Sequence, residues 1–175
     1  MTPTPRLAAV VGNPKADSRT LASALHLGRE LVGEPELVVD LAELGGAVLD
    51  LRDERVPGLI EQVASHDVVV FASPTYKAAL TGLLKAFLDR FPGNGLRDVI
   101  AVPLMLGAGP GHALAVETSL RPVLTELGAT VPVRGLYVLD AAWADPTAYG
   151  AWLETARPVV RALAGRRTQT TGVLS

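Results

Sequence analysis

The 175-residue sequence contains no cysteine. Disulfides, thiol nucleophiles, thiolate metal sites and iron–sulfur clusters are excluded together, so any redox group has to come from outside the polypeptide. An excess of charge of either sign is also missing. Sixteen Lys and Arg against 18 Asp and Glu leave a net charge of −2, which gives no reason to expect nucleic acid as a partner. Long hydrophobic runs are absent too. The longest, Val99 to Leu106, is far too short to span a bilayer, and no membrane association is expected. The apolar run after Met1–Arg6 covers only five residues, too few for a secretion signal, so a cytoplasmic location is expected. There is no internal repeat and no linker.

What is present is apolar. Hydrophobic residues make up 49% of the chain and the mean hydropathy is +0.30, the mark of a compact globular protein. The length suits a single domain over 1–165. The polar, Gly-bounded stretch from Gly165 to Gly172 reads as the start of a flexible tail, expected over 166–175.

Five apolar runs punctuate the sequence: Leu7–Val11, Glu36–Asp40, Asp67–Ala72, Asp98–Leu106 and Thr130–Leu139. Most are nearly continuous in Val, Leu and Ile, the pattern of strands buried on both faces of a parallel sheet. Helical periodicity lies between them. Leu21, Leu25, Gly28 and Leu31 share one face, with Ser18 placed to cap the start. Shorter helices follow around Leu59–Val63 and Leu80–Leu88. Val116 to Leu127 give a fourth, closed by Gly128 and kinked at Pro122. Asp145-Pro146 reads as the cap and first residue of a fifth helix running to about Leu163. Strict β/α alternation with right-handed crossovers makes an α/β three-layer sandwich: a five-stranded parallel sheet in the flavodoxin-like order 2-1-3-4-5. Ligands bind such sheets at the carboxyl ends of strands 1 and 3, where the winding reverses.

Three loops fall at that edge. The first, Gly12 to Thr20, joins a buried strand to a helix and is rich in hydroxyls and cations. It is not a P-loop, because Asp17 and Ser18 stand where Gly and Lys are required. Nor is it a dinucleotide fingerprint, because Pro14 and Asp17 replace glycines. Lys15, Ser18, Arg19 and Thr20 with the free N–H groups of a helix start suit one terminal phosphate monoester, such as that of FMN. The alternative is an ordinary capped loop. The second loop, Ser73 to Gly82, offers Pro74, Thr75, Tyr76 and Lys77, a surface against which a flat ring can lie; the alternative makes Tyr76 a surface aromatic and Lys77 a solvated charge. The third loop carries Gly107, Gly109 and Gly111, which permit close approach of backbone to ligand, and His112, which either touches the ligand or caps a helix start.

Taken together, these segments resemble the NADPH-dependent FMN reductases of the flavodoxin-like superfamily, the flavin-supplying partners of two-component monooxygenases such as the alkanesulfonate system. The resemblance covers about residues 7 to 140. It rests on Gly12-Asn13-Pro14-Lys15 with Ser18-Arg19-Thr20, on Ser73-Pro74-Thr75-Tyr76-Lys77-Ala78 with Thr81-Gly82-Leu83-Leu84-Lys85, on His112-Ala113-Leu114-Ala115-Val116, and on Leu120-Arg121-Pro122-Val123-Leu124 with Leu127-Gly128-Ala129. It implies that Asn13, Lys15, Ser18, Arg19 and Thr20 hold the FMN phosphate, that Pro74, Thr75, Tyr76 and Lys77 line the isoalloxazine, and that Gly107, Gly109 and Gly111 flank the ring edge. Two positions depart from the pattern. Leu80 stands where the alkanesulfonate-type enzymes often have Tyr, within a widened turn at an oligomer interface. Asn13 replaces the commoner Ser.

The function so implied is hydride transfer from NADPH or NADH to FMN, with a flavin-dependent monooxygenase receiving the reduced flavin. The assembly implied is a homodimer or tetramer, contacting through the helix that starts at Leu80. The flavin carries the chemistry, so no catalytic acid–base residue and no metal are expected. Three other functions use the same loops: a tightly FMN-bound quinone or azo reductase, a non-enzymatic electron carrier, and an interaction domain without flavin.

Overall fold

The computed structural model describes residues 4–171, with side chains up to Gly165. Five strands form one parallel sheet in the order β2-β1-β3-β4-β5: β1 Leu7–Val11, β2 Leu37–Asp40, β3 Val68–Pro74, β4 Ile100–Gly107 and β5 Leu136–Leu139. Every residue of β1, β3 and β4 is buried, which is why those segments carry no polar alternation. The helices are α1 Arg19–Leu31, α2 Arg55–Ala64, α3 Gly82–Leu88, α4 Arg121–Glu126 and α5 Thr147–Thr171. The two faces of the sheet make separate cores. Ala8, Val10, Val69, Phe71, Ala101 and Met105 pack under α2, α3 and α4, while Leu7, Ala9, Val68, Val70, Val102 and Leu104 pack under α1 and α5.

The expected layers and strand order are those observed. The boundaries shift where side chains compete for backbone groups. The last strand, expected from Thr130, starts at Leu136. Pro132 has no N–H for a ladder, and the Arg121 guanidinium takes the carbonyls of Val131 and Val133 at 2.9 and 2.8 Å. Thr130 keeps only an isolated bridge to Ile100. The fifth helix continues past Leu163 to Thr171; the side chains of the tail expected over 166–175 lie outside the described residues.

Pro122 does not sit in a simple kinked helix. It lies in the first turn of α4, directly after a π-helical turn over Val116–Leu120. Winding the preceding turn wider accommodates a residue that has no N–H and a ring that clashes with the carbonyl four residues back. The widened turn is therefore here and not at Leu80. The two places nevertheless touch, because the Leu80 N–H donates to Ser119 Oγ at 3.1 Å.

The binding edge is tied to the core at Thr81, which is 2% exposed. Its hydroxyl accepts from the Leu84 N–H at 3.1 Å, capping α3, and donates to the Gly12 carbonyl at the end of β1. Thr81→Ala loses the cap and leaves a buried carbonyl unpaired, a cost of about 2 kcal/mol. The expected result is a melting temperature lower by about 4–8 °C in a thermal unfolding scan, with Thr81→Ser close to wild type.

Candidate flavin site at the switch point

The sheet reverses its winding between β1 and β3, and the three loops emerge there side by side. Register places Val11 beside Ala72, Pro74 beside Leu106 and Gly107 beside Leu139. Backbone bonds hold the loop bases together, Gly12 N–H to the Ala72 carbonyl at 2.8 Å and Thr75 N–H to the Leu106 carbonyl at 2.7 Å.

The first loop is folded by its own polar groups. Asn13 Oδ1 accepts from the Lys15 N–H at 2.9 Å, and Asn13 Nδ2 donates to Thr20 Oγ1 at 3.0 Å. Asn13 therefore spends its amide on shaping the loop. Thr20, 2% exposed, accepts that bond and keeps its own proton to give. Asp17 turns the chain with φ +51°, and Ser18 then caps α1, its Oγ accepting from the Leu21 N–H at 3.2 Å. This cap is the one the sequence predicts. Lys15 and Arg19 stand exposed at the mouth.

Their charge is not used internally. Arg6, Arg29, Arg52, Arg55, Lys85, Arg97, Arg121 and Arg157 each face a carboxylate within 4 Å. Six cations carry no ion pair among the described residues: Arg90 and Arg161 donate to backbone carbonyls, Arg134 is exposed just before β5, and Lys15, Arg19 and Lys77 all lie on the first two loops. Three unneutralised cations beside a capped 13-residue helix start make a field that favours an anion. The carboxylates of the remote 50–55 turn are satisfied locally; the Arg55 guanidinium holds the Asp53 carboxyl below the usual carboxylate range.

The second loop contains a feature with no sequence signal. Tyr76 and Ala79 exchange two backbone hydrogen bonds, at 3.0 and 3.1 Å, around Lys77 and Ala78, whose φ values are +51° and +62°. Such a turn normally carries Asn and Gly. Two side-chain-bearing residues in the left-handed region cost about 1–2 kcal/mol each, and the turn persists because its ends are pinned. Besides the bond from Leu80, the Thr81 N–H donates to Ser73 Oγ at 3.0 Å. Ala78→Gly removes part of the strain and is expected to raise stability by about 0.5–1 kcal/mol, read as a melting temperature about 2 °C higher. Tyr76 is presented at 52% exposure, and Lys77 is exposed beside it. Thr75 Oγ1 is buried and has no hydrogen-bond partner, a vacant valence at the base of this loop.

In the third loop, Gly109 and Gly111 have open space where a side chain would stand, whereas a Cβ on Gly107 would run into the Tyr137 phenol. The Tyr137 hydroxyl donates to the Gly109 carbonyl at 2.8 Å. His112 ends a short 3-10 turn, Pro110–His112, and is exposed. Tyr137 and Ser119 are the residues that sequence reasoning misses; neither lies in a loop, and their contacts join segments 28 and 39 residues apart. Among the described residues no group of three or more His, Asp or Glu side chains is placed to hold a metal, and no helix is long and apolar enough to cross a membrane.

This is a flavodoxin-like sheet with an anion-favouring loop at its switch point. Residues 5–144 match the family described as NADPH-dependent FMN reductase, and the chain belongs to that oxidoreductase family. It is 34% identical over 142 residues to an FMN reductase (NADPH) of Escherichia coli K12, spanning 78% of this chain and 74% of that one. It is 30% identical over 149 residues to the NADH-dependent FMN reductase SfnF of Pseudomonas fluorescens Pf0-1, spanning 80% and 79%. Among solved structures, the apo form of the NADH:FMN oxidoreductase EMOB superposes with a TM-score of 0.78 at 26% identity, covering 92% of this chain and 89% of that one. The residues present fit FMN: an unneutralised cationic loop for a phosphate, an exposed Tyr ring for a flat partner, and a buried hydroxyl with an unused bond.

Proposed function

We propose that the protein is an NAD(P)H-dependent FMN reductase that binds FMN at the switch point and hands the reduced flavin to a partner monooxygenase. The observation that carries the reading is the gathering at one sheet edge of three exposed cations with no ion pair among the described residues, Lys15, Arg19 and Lys77, whereas Arg90 and Arg161, which also lack one, are taken up by backbone carbonyls. In this reading Arg19, Lys15, the Ser18 and Thr20 hydroxyls and the α1 N–H groups hold the phosphate, with Asn13 fixing the loop around it. Pro74, Thr75, Tyr76 and Lys77 line the ring, and Gly109, Gly111 and His112 border its edge, with Gly107 leaving room for the Tyr137 phenol that bonds the Gly109 carbonyl.

The chemistry that FMN supplies when bound is acceptance at N5 of a hydride from the nicotinamide C4. The protein's share is placement: Tyr76 and the strained turn would support the ring, and the open glycine loop would leave room for the nicotinamide. Lys77 would stabilise the negative charge that develops on reduction. No side chain has to exchange a proton with the substrate in this reading.

Tyr76, Leu114 and Leu139 stand 52, 61 and 37% exposed around this edge, and a second copy of the chain, in a homodimer or tetramer, covers them in this reading. Its place is the cytoplasm, where reduced nicotinamides are made. The test is purified protein with NADPH or NADH, with and without added FMN, followed by nicotinamide oxidation. Turnover that requires free FMN and saturates with it supports a reductase that releases its flavin. Turnover only with a quinone or azo dye overturns that in favour of a bound prosthetic group, and no turnover at all leaves a carrier or scaffold.

A further inference from the structure

We propose that Tyr137 is a positioning residue for the flavin site: its phenol, seated over Gly107, is the strut that sets the conformation of the Gly107–His112 loop. The inference rests on the FMN reading above and adds a residue that lies outside all three loops.

Tyr137 stands on β5 beside Met105 of β4, on the face that packs under α4. Gly107 is two residues further along β4 and so projects to the same face. A tyrosine leaning along its strand covers the position diagonal to it on the neighbour. Here the phenol oxygen occupies the volume that a Cβ on residue 107 would need, so only glycine leaves room for it. From that seat the hydroxyl reaches past the end of the strand and donates to the Gly109 carbonyl at 2.8 Å. Gly109 is extended, with φ −154° and ψ 163°, and the 3-10 turn Pro110–His112 begins immediately after it. The carbonyl that is held belongs to the glycine immediately before that turn, two residues beyond the end of the strand. Gly109 and Gly111 have open space where side chains would stand, so neither position supplies a side chain to anchor the loop. The strut substitutes for the packing that the loop lacks, and leaves its outer surface open.

Gly107 and Tyr137 thus act as a pair, with the glycine serving the tyrosine and the tyrosine serving the loop. Tyr137→Phe keeps the ring and removes the bond. The expected result is an FMN dissociation constant about fivefold higher by fluorescence titration, kcat within about twofold of wild type, and faster amide hydrogen exchange confined to 109–113. Gly107→Ala forces the phenol aside and is expected to weaken FMN binding at least as much and to lower the melting temperature. Adding Tyr137→Ala to Gly107→Ala restores the space, so the melting temperature recovers toward that of Tyr137→Ala alone while FMN binding stays weak. Unchanged FMN affinity and unchanged loop exchange in Tyr137→Phe overturn the proposal, as does a Gly107→Ala protein that behaves like wild type. If the wild-type chain fails to bind FMN, the flavin reading falls on its own, and the exchange measurement still reports whether the strut holds the loop.

Discussion

Arg19→Glu weakens FMN binding by about a hundredfold. Arg19 is exposed at the first turn of α1, carries no ion pair among the described residues, and sits beside Lys15 and the Ser18 cap. Losing a charge-assisted bond to a phosphate costs about 1.5–3 kcal/mol, and a carboxylate in its place adds repulsion at a helix N-terminus. About 2.7 kcal/mol in all corresponds to a hundredfold change in dissociation constant. The fold does not depend on this side chain, so the melting temperature stays within about 1 °C. Arg29→Glu, at the far end of the same helix and paired with Glu34 at 2.8 Å, is the control and leaves FMN binding unchanged. Fluorescence quenching of FMN on titration measures both. An Arg19→Glu protein that binds as wild type removes the first loop from the site.

Gly12→Ala costs about 3 kcal/mol of stability. A Cβ at residue 12 overlaps the Leu84 Cβ and comes within 3.1 Å of the Leu84 Cα, so the obstacle is the body of α3 and not the tip of a flexible side chain. Over-packing of this kind costs about 1–3 kcal/mol, and here it also strains the bond from Thr81 to the Gly12 carbonyl. The expected melting temperature is lower by about 6–12 °C. Leu84→Ala does not rescue it, because alanine keeps the Cβ that collides. FMN binding weakens as well, since the same junction spaces the first loop from the second. A change below about 0.5 kcal/mol would contradict the tight β1–α3 contact.

Both glycines show where sequence reasoning stops. The residues that meet at the candidate site were legible: hydroxyls and cations after the first strand, an aromatic ring after the third, glycines after the fourth. The order 2-1-3-4-5 followed from alternation and buried strands, and the Ser18 cap from its place before the first apolar face. What Gly12 and Gly107 are for was not legible. A glycine next to a ligand loop reads as room for the ligand, yet the room at 12 is taken by Leu84 and at 107 by Tyr137, partners 72 and 30 positions away. The left-handed turn at Lys77-Ala78 lacks the Asn-Gly signature because its ends, not its residues, hold it. The late start of the fifth strand depends on a guanidinium from another helix. In each case the missing information is a contact between distant segments, which periodicity and spacing do not carry.

The most direct test compares two ligands that differ by one group. Calorimetric titration of the full chain with FMN and, separately, with riboflavin isolates the phosphate's share of binding. If the loop from Asn13 to Thr20 is a phosphate cradle, FMN binds at least about a hundredfold more tightly than riboflavin, and Arg19→Glu removes most of that difference. Equal affinity for the two, in wild type and variant alike, would contradict it.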